Sequence, residues 1–266
     1  MRSWFVLIGL WLVSSLSAQS EIKVVFADSL VLQADRFVGA DDFENYYYLR
    51  DNSLFKKSAT NTYSYMNTQL GAIASVDISN PLKILVFYRD FNTILLLDNR
   101  LNELSDRINL NEENYGKNAH FATVSSNNNL WIYSLDDNVL TLWDYENKQA
   151  LFESQPLQFY SSDFQAIFQY SNYKKCWLVS EKDLVEFNEF GSFIASKPLS
   201  AIQALGSFND QLSYLQNNRL FVRRDEEPVL LNNIDPRHLS TNFFVNKNWL
   251  YFFRSNQLFR YRILKN

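Results

Sequence analysis

Short apolar runs rich in Tyr, Phe, Val, Ile and Leu alternate along the chain with polar turns rich in Asn and Asp. No extended stretch after the first twenty residues carries apolar residues at the three-and-four spacing of an amphipathic helix, so the pattern predicts strands throughout. Six segments share one layout of strand, tight polar turn and strand: "NYYYLRDNSLFKKS", "ILVFYRDFNTILLLD", "LWIYSLDDNVLTLWD", "CWLVSEKDLVEFN", "LSYLQNNRLFVRR" and "WLYFFRSNQLFRYR". The first apolar residue after each turn is Leu54, Ile94, Leu140, Leu184, Leu220 and Leu258, at spacings of 40, 46, 44, 36 and 38.

Each unit has room for two flanking strands. Ahead of the hairpins stand "RFVGADDF", "AIASVDIS", "HFATVSS", "FQAIFQY", "AIQALGSF" and "STNFFVN"; behind them stand "TYSYMN", "ELSDRINL", "QALFES", "SFIASKP" and "PVLLN". A period near 40 with four strands per unit is that of a propeller blade, whereas solenoids of similar period are built from helices. The sixth unit ends at "LFRYRILKN" without a fourth strand, while "IKVVFADSLVL" near the N-terminus has no unit of its own. Pairing that segment into the last blade would close the ring and remove two open strand edges. The reading is therefore all-β: a six-bladed β-propeller of four-stranded blades, closed by the mature N-terminal strand, with five or seven blades as alternatives. In period and strand pattern the chain resembles the exported bacterial six-bladed β-propellers over residues 21–266. The GH and WD signature of WD40 blades is absent apart from Trp143 and Asp144, and 6 Gly are too few for the PQQ-type pattern.

The first twenty residues, "MRSWFVLIGLWLVSSLSAQS", read as a secretory signal peptide: Arg2, an apolar run, then small and polar residues. The apolar run is shorter than the roughly 20 residues that span a bilayer. Cleavage is expected after Ala18 or after Ser20, leaving a single domain from residue 21 to 266. The cellular address implied is the periplasm, the outer membrane through a partner, or the exterior.

Removing Arg2 with the signal leaves 24 basic against 29 acidic residues, a net charge of −5, which argues against nucleic acid as a partner. The single cysteine, Cys176, lies in the apolar run "CWLVS" and reads as a small buried hydrophobe rather than a nucleophile. There is no GxSxG elbow, no glycine-rich phosphate loop and no metal-ligand spacing. No cofactor is expected, although Ca2+ in the central channel needs no strict sequence spacing. Asp136, Asp137, Asp163 and Asp235 read as turn carboxylates, and His120 and His238 as residues of the links between blades.

In a propeller the middle-strand turns and the blade-to-blade links open on one face, where loops on a rigid scaffold carry function. Three of the turns repeat an arginine: "YLRDN" with Arg50, "FYRDFN" with Arg89 and "FFRSN" with Arg254. Blades 6, 1 and 2 are contiguous on a closed ring, so these form an arc with Asp51 and Asp90 beside it. Forked guanidinium donors suit a carboxylate, a phosphate or an acidic peptide; pairing with the neighbouring Asp or covering aromatic surface are the structural alternatives. The long links "NLNEENYGKNAH" and "SQPLQFYSSD" add Tyr115 and Tyr160 as candidate aromatic anchors.

The functional expectation is a non-enzymatic binding or scaffold propeller of the bacterial cell envelope that recognises a protein or peptide on its loop face. Such a protein would be a monomer or a subunit of a larger complex. The alternative is a small-ligand receptor or a hydrolase or lyase acting on an anionic substrate at the channel mouth.

Overall fold

The computed structural model describes residues 22–112, 115–208, 211–223 and 227–264. The segment read as a signal peptide lies outside the described residues. Each of the six predicted hairpins forms the two middle strands of a four-stranded antiparallel blade. The hairpins are Tyr46–Arg50 with Ser53–Lys57, Ile84–Tyr88 with Thr93–Leu97, Asn129–Ser134 with Val139–Asp144, Lys175–Val179 with Asp183–Asn188, Gln211–Gln216 with Arg219–Arg223, and Trp249–Arg254 with Gln257–Ile263. The inner strands around the axis are Arg36–Ala40, Ser75–Asp77, Ala119–Val124, Phe168–Ser171, Ile202–Phe208 and Phe243–Val245. The outer strands of blades 1 to 5 are Thr62–Tyr65, Ile108–Asn109, Gln149–Glu153, Phe193–Pro198 and Pro228–Asn232.

Why the middle strands are so uniformly apolar follows from their position. A middle strand has a neighbouring blade against each of its faces, so both sets of alternating side chains are buried. In Ile84–Tyr88, Leu85 and Phe87 pack toward blade 3 while Ile84, Val86 and Tyr88 pack toward blade 1. Six core clusters result among the described residues, one at each junction of consecutive blades. The cluster joining Phe37 and Tyr48 of blade 1 to Tyr251, Phe253 and Leu258 of blade 6 closes the ring. Cys176 is fully buried between blades 3 and 4, and burial pushes its thiol pKa well up, as its apolar surroundings in the sequence suggested.

The fourth strand of blade 6 is Ile22–Val31, antiparallel to Gln257–Ile263 from Val24 opposite Ile263 to Val31 opposite Gln257. Its first two residues also pair in parallel with Leu231 and Asn232 of blade 5. The N-terminal strand thus ties both ends of the chain into one blade and laces that blade to its predecessor.

Space near the axis is tight. Gly39 of the blade 1 inner strand sits where a Cβ would lie 2.6 Å from the Phe244 ring of blade 6 and 2.8 Å from Ile78 of blade 2. Three blades therefore converge on a residue with no side chain.

Candidate functional site

The middle-strand turns and the links do share one face, and a recurring contact holds them together. Asn52, Asn92, Asn138 and Asn256 end the turns of blades 1, 2, 3 and 6 in the left-handed region, with φ between 48° and 59°. Asn tolerates that conformation because its short polar side chain bonds locally. Asn52 donates from Nδ2 to the Gly71 carbonyl at 2.7 Å and accepts from the Ile73 N–H at 2.8 Å. Asn92 does the same with the Lys117 carbonyl and the Ala119 N–H, both at 2.9 Å. Asn138 donates to the Phe164 carbonyl at 2.7 Å, and Asn256 accepts from Ala34 N–H at 3.4 Å. In four blades a buried leucine beyond the outer strand donates its N–H to the turn: Leu32 to Asn256, Leu110 to Asn92, Leu157 to Asn138 and Leu199 to Lys182. The face is a set of stapled loops, and its side chains are presented from fixed backbone.

The three predicted arginines all stand on this face, with different partners. Arg50 and Arg254 are the last residues before two-residue turns, Asp51–Asn52 and Ser255–Asn256, whose φ values are all positive. Arg89 instead begins a single 3-10 turn, Arg89–Phe91, because "FYRDFN" holds four residues between the paired Tyr88 and Thr93. The Arg50 guanidinium lies 4.5 Å from the centre of the Phe55 ring. Arg89 donates from Nε to the His120 carbonyl at 3.0 Å and lies 5.7 Å from the Phe121 ring of blade 3. Arg254 donates to the Arg237 carbonyl at 3.2 Å, in the link from blade 5. Of the two structural alternatives, pairing with the turn carboxylates does not occur among the described residues, whereas Arg50 and Arg89 do lie against aromatic rings. Asp51 uses its N–H to reach the Asp35 carboxylate at 2.8 Å, and Asp90 is exposed at the start of its turn.

A fourth cation belongs to the set and was hidden in the sequence. Arg36 opens the blade 1 inner strand, inside "RFVGADDF", a segment that reads as an ordinary apolar strand. It is half-buried, donates to the Ala74 carbonyl of blade 2 at 3.3 Å, and burial lowers its pKa. Among the described residues none of Arg36, Arg50, Arg89 and Arg254 forms an ion pair with a carboxylate. The one signal that could have exposed Arg36 is its position, first in a strand that begins at the loop face.

Two expectations need correction. Tyr115 is a core residue at 6% exposure, edge-on to Trp143 with 5.5 Å between ring centres, and desolvation raises its hydroxyl pKa beyond the ordinary range. It anchors the long link inward because the link is polar and needs an apolar peg, so it is unavailable to a partner. His120 lies in the inner strand Ala119–Val124 rather than in a link. Tyr160 is half-buried, stacked on Phe193 at 4.7 Å and edge-on to Phe187. The aromatic side chains that this face does expose are Phe91, over Gly71, and Phe159.

Beside Arg89 the link from blade 2 and the turn of blade 3 enclose a cleft of about 310 Å3, lined by Asn111, Lys117, Asn118, Asp136 and Asp137. Asn118 donates to Asp136 at 3.1 Å, and Lys117 pairs with Glu153. Burial, then the nearby Arg89 charge, lowers the pKa of His120 from 6.5, with Asp136 opposing. His238 is engaged elsewhere, stacked 4.0 Å from the Phe259 ring with Nδ1 at 2.6 Å from the Tyr261 hydroxyl. Asp235 is gripped by Arg237, and Asp163 occupies a left-handed turn. Among the described residues no group of three or more His, Cys, Asp or Glu stands together to hold a metal, so calcium in the channel would have no carboxylate cluster. No described helix is long and apolar enough to cross a membrane.

These features define a β-propeller with a stapled, arginine-bearing face, and the solved structures it resembles belong to the same class. The chain is similar to virginiamycin B lyase from Staphylococcus aureus, in its catalytically inactive form with quinupristin, at 11% identity and a TM-score of 0.60, over 92% of this chain and 100% of that one. It is similar to the RRP9 WD40 repeats at 9% identity and a TM-score of 0.62, again over 92% and 100%. The Neurospora crassa Pan2 WD40 domain matches at 9% identity and a TM-score of 0.54, over 88% of this chain and 76% of that domain. No protein family and no curated protein matches the sequence. At such identities the likeness carries the fold, and fold alone does not assign an activity.

Proposed function

We propose that this protein is a binding propeller of the bacterial cell envelope that takes an acidic segment of a protein or peptide on the turn-and-link face of blades 6, 1 and 2. The observation that carries this reading is the state of Arg36, Arg50, Arg89 and Arg254: each is positioned by a carbonyl oxygen or an aromatic ring, and none is neutralised by a carboxylate. A guanidinium has five donors in a fixed fork, and one bond to a carbonyl leaves most of them for a ligand. Holding the side chains beforehand lowers the entropy lost on binding. Phe91, 48% exposed in the same turn as Arg89, supplies an apolar anchor next to the charge.

Export by the segment 1–20, with the propeller as the mature domain, belongs to the same reading, as does contact with a membrane only through a partner. Propellers of similar fold include a lyase as well as WD40 domains, and one observation favours a chemical role instead: the cleft lined by Asp136 and Asp137, with His120, whose pKa burial lowers and Asp136 raises, in the neighbouring strand.

The experiment is a binding titration of the purified protein with a fluorescent oligoglutamate peptide, beside in-cell crosslinking, for wild type, for the variant with all four arginines changed to Ala, and for His120→Gln. Saturable binding and a crosslinked partner, both lost with the arginines and kept in His120→Gln, support the reading. Equal binding by wild type and the arginine variant overturns it.

A further inference from the structure

The opposite face, where the inner-to-middle turns and the outer turns emerge, carries a separate cleft of about 260 Å3 between blades 2, 3 and 4. Lys83 of the blade 2 turn is half-buried, and its Nζ donates to Asn128 Oδ1 at 2.6 Å and to the Tyr145 hydroxyl at 2.8 Å. Neither partner is a carboxylate, and the ammonium has a third donor. Glu146 accepts from Asn128 Nδ2 at 3.0 Å, Asp77 accepts from the Ser79 and Val124 N–H groups, each at 2.9 Å, and among the described residues no carboxylate forms an ion pair with Lys83.

Ser125 and Asn129 also line the cleft, 2% and 7% exposed. Asn127 adds an exposed amide from a left-handed turn, φ 53°, and Tyr173, 45% exposed, stands at the rim from blade 4.

We propose that this cleft binds an acidic monosaccharide unit of the uronic acid type. The Lys83 ammonium takes the carboxylate, the Asn127 amide takes ring hydroxyls, and the Tyr173 ring covers one face of the sugar. One ammonium suits a single carboxylate. Amides match the mixed donor and acceptor character of sugar hydroxyls. The volume, just under the 300 Å3 or so at which small-molecule pockets begin, limits the occupant to about one ring. This site is independent of the arginine face, so either reading can fail without the other.

The test is saturation-transfer NMR and calorimetry of the purified protein with glucuronic, galacturonic and mannuronic acids, glucose and inorganic phosphate, for wild type, Lys83→Met and Tyr173→Ala. The expected result is saturable binding of at least one uronic acid, weakened tenfold or more for glucose and for each variant, with thermal midpoints unchanged. Tyr173→Ala alters only an exposed turn, so it remains informative if Lys83→Met unfolds. Absence of binding by all three uronic acids, equal binding by Tyr173→Ala, or binding of phosphate in preference to every sugar overturns the proposal.

Discussion

Arg260 and Asp28 stand 232 positions apart in the chain and side by side in the ring, with Arg260 Nε 2.6 Å from Asp28 Oδ1 and Nη2 2.5 Å from Oδ2. The pair spans the seam where the N-terminal strand meets the last hairpin, and Arg260 also reaches the Tyr46 hydroxyl of blade 1 at 2.7 Å. The seam is where a propeller opens, so it is where charge and burial can be tested most directly.

The Arg260 hydrogen bonds hold the Asp28 carboxyl below its ordinary 3.8. A carboxyl with a depressed folded-state pKa stabilises the fold above its unfolded value, and that contribution fades as pH falls through the folded value. Asp28 is half exposed, so the effect is modest, about 1 kcal/mol or less. Urea midpoints of wild type and Asp28→Asn are expected to differ at pH 7 and to converge below pH 3; an equal gap at both would assign the stability to something other than this pair.

Val24 and Val25 are neighbours on the closing strand with opposite fates, 0% and 49% exposed. Val24→Asp places a carboxylate in the cluster between blades 5 and 6 and is expected to cost about 3 kcal/mol or more. Val25→Asp should change stability by about 0.5 kcal/mol or less. Thermal melts with size-exclusion chromatography check this, since a freed strand edge also promotes association.

Asn92 makes three side-chain hydrogen bonds besides its left-handed turn: to Asn111 Oδ1 and the Lys117 carbonyl, and from the Ala119 N–H. Asn92→Ala strands buried partners and strains the turn, for an expected loss of about 2–4 kcal/mol. Asn92→Gly, free of the strain, should recover part of it. Urea unfolding reports the loss, and faster proteolysis of the 110–118 link reports where it acts.

His120 has a folded-state pKa below 6.5, so around that value the unfolded chain binds more protons and stability rises with pH. Its neutral form is fully favourable above about 6.5, and the benefit is lost as pH falls below it. His120→Gln should flatten the slope of the urea midpoint between pH 5 and 7. An unchanged slope would mean that another group titrates there.

How much of this was legible from the residues can be judged position by position. The six turn-following residues from Leu54 to Leu258 are buried at 1% or less, and their near-40 spacing pointed to six blades. The strand after residue 21 was legible as a surplus matching a deficit at the other end. Tyr115 was misjudged because a polar link in sequence does not say which of its side chains turns inward. Arg36 was overlooked because its neighbours spell an ordinary inner strand.

The amino-acid sequence by itself determined the four-stranded blade and its repeat, because strand alternation, turn residues and period are local properties that any four-stranded unit must satisfy. The tertiary structure alone decided which arginines are left without carboxylates, that turn asparagines staple the links, and that Lys83 and Ser125 share a cleft. Those relationships join residues from different blades, and the distance between two blades is set by how their buried faces pack rather than by anything written within either one.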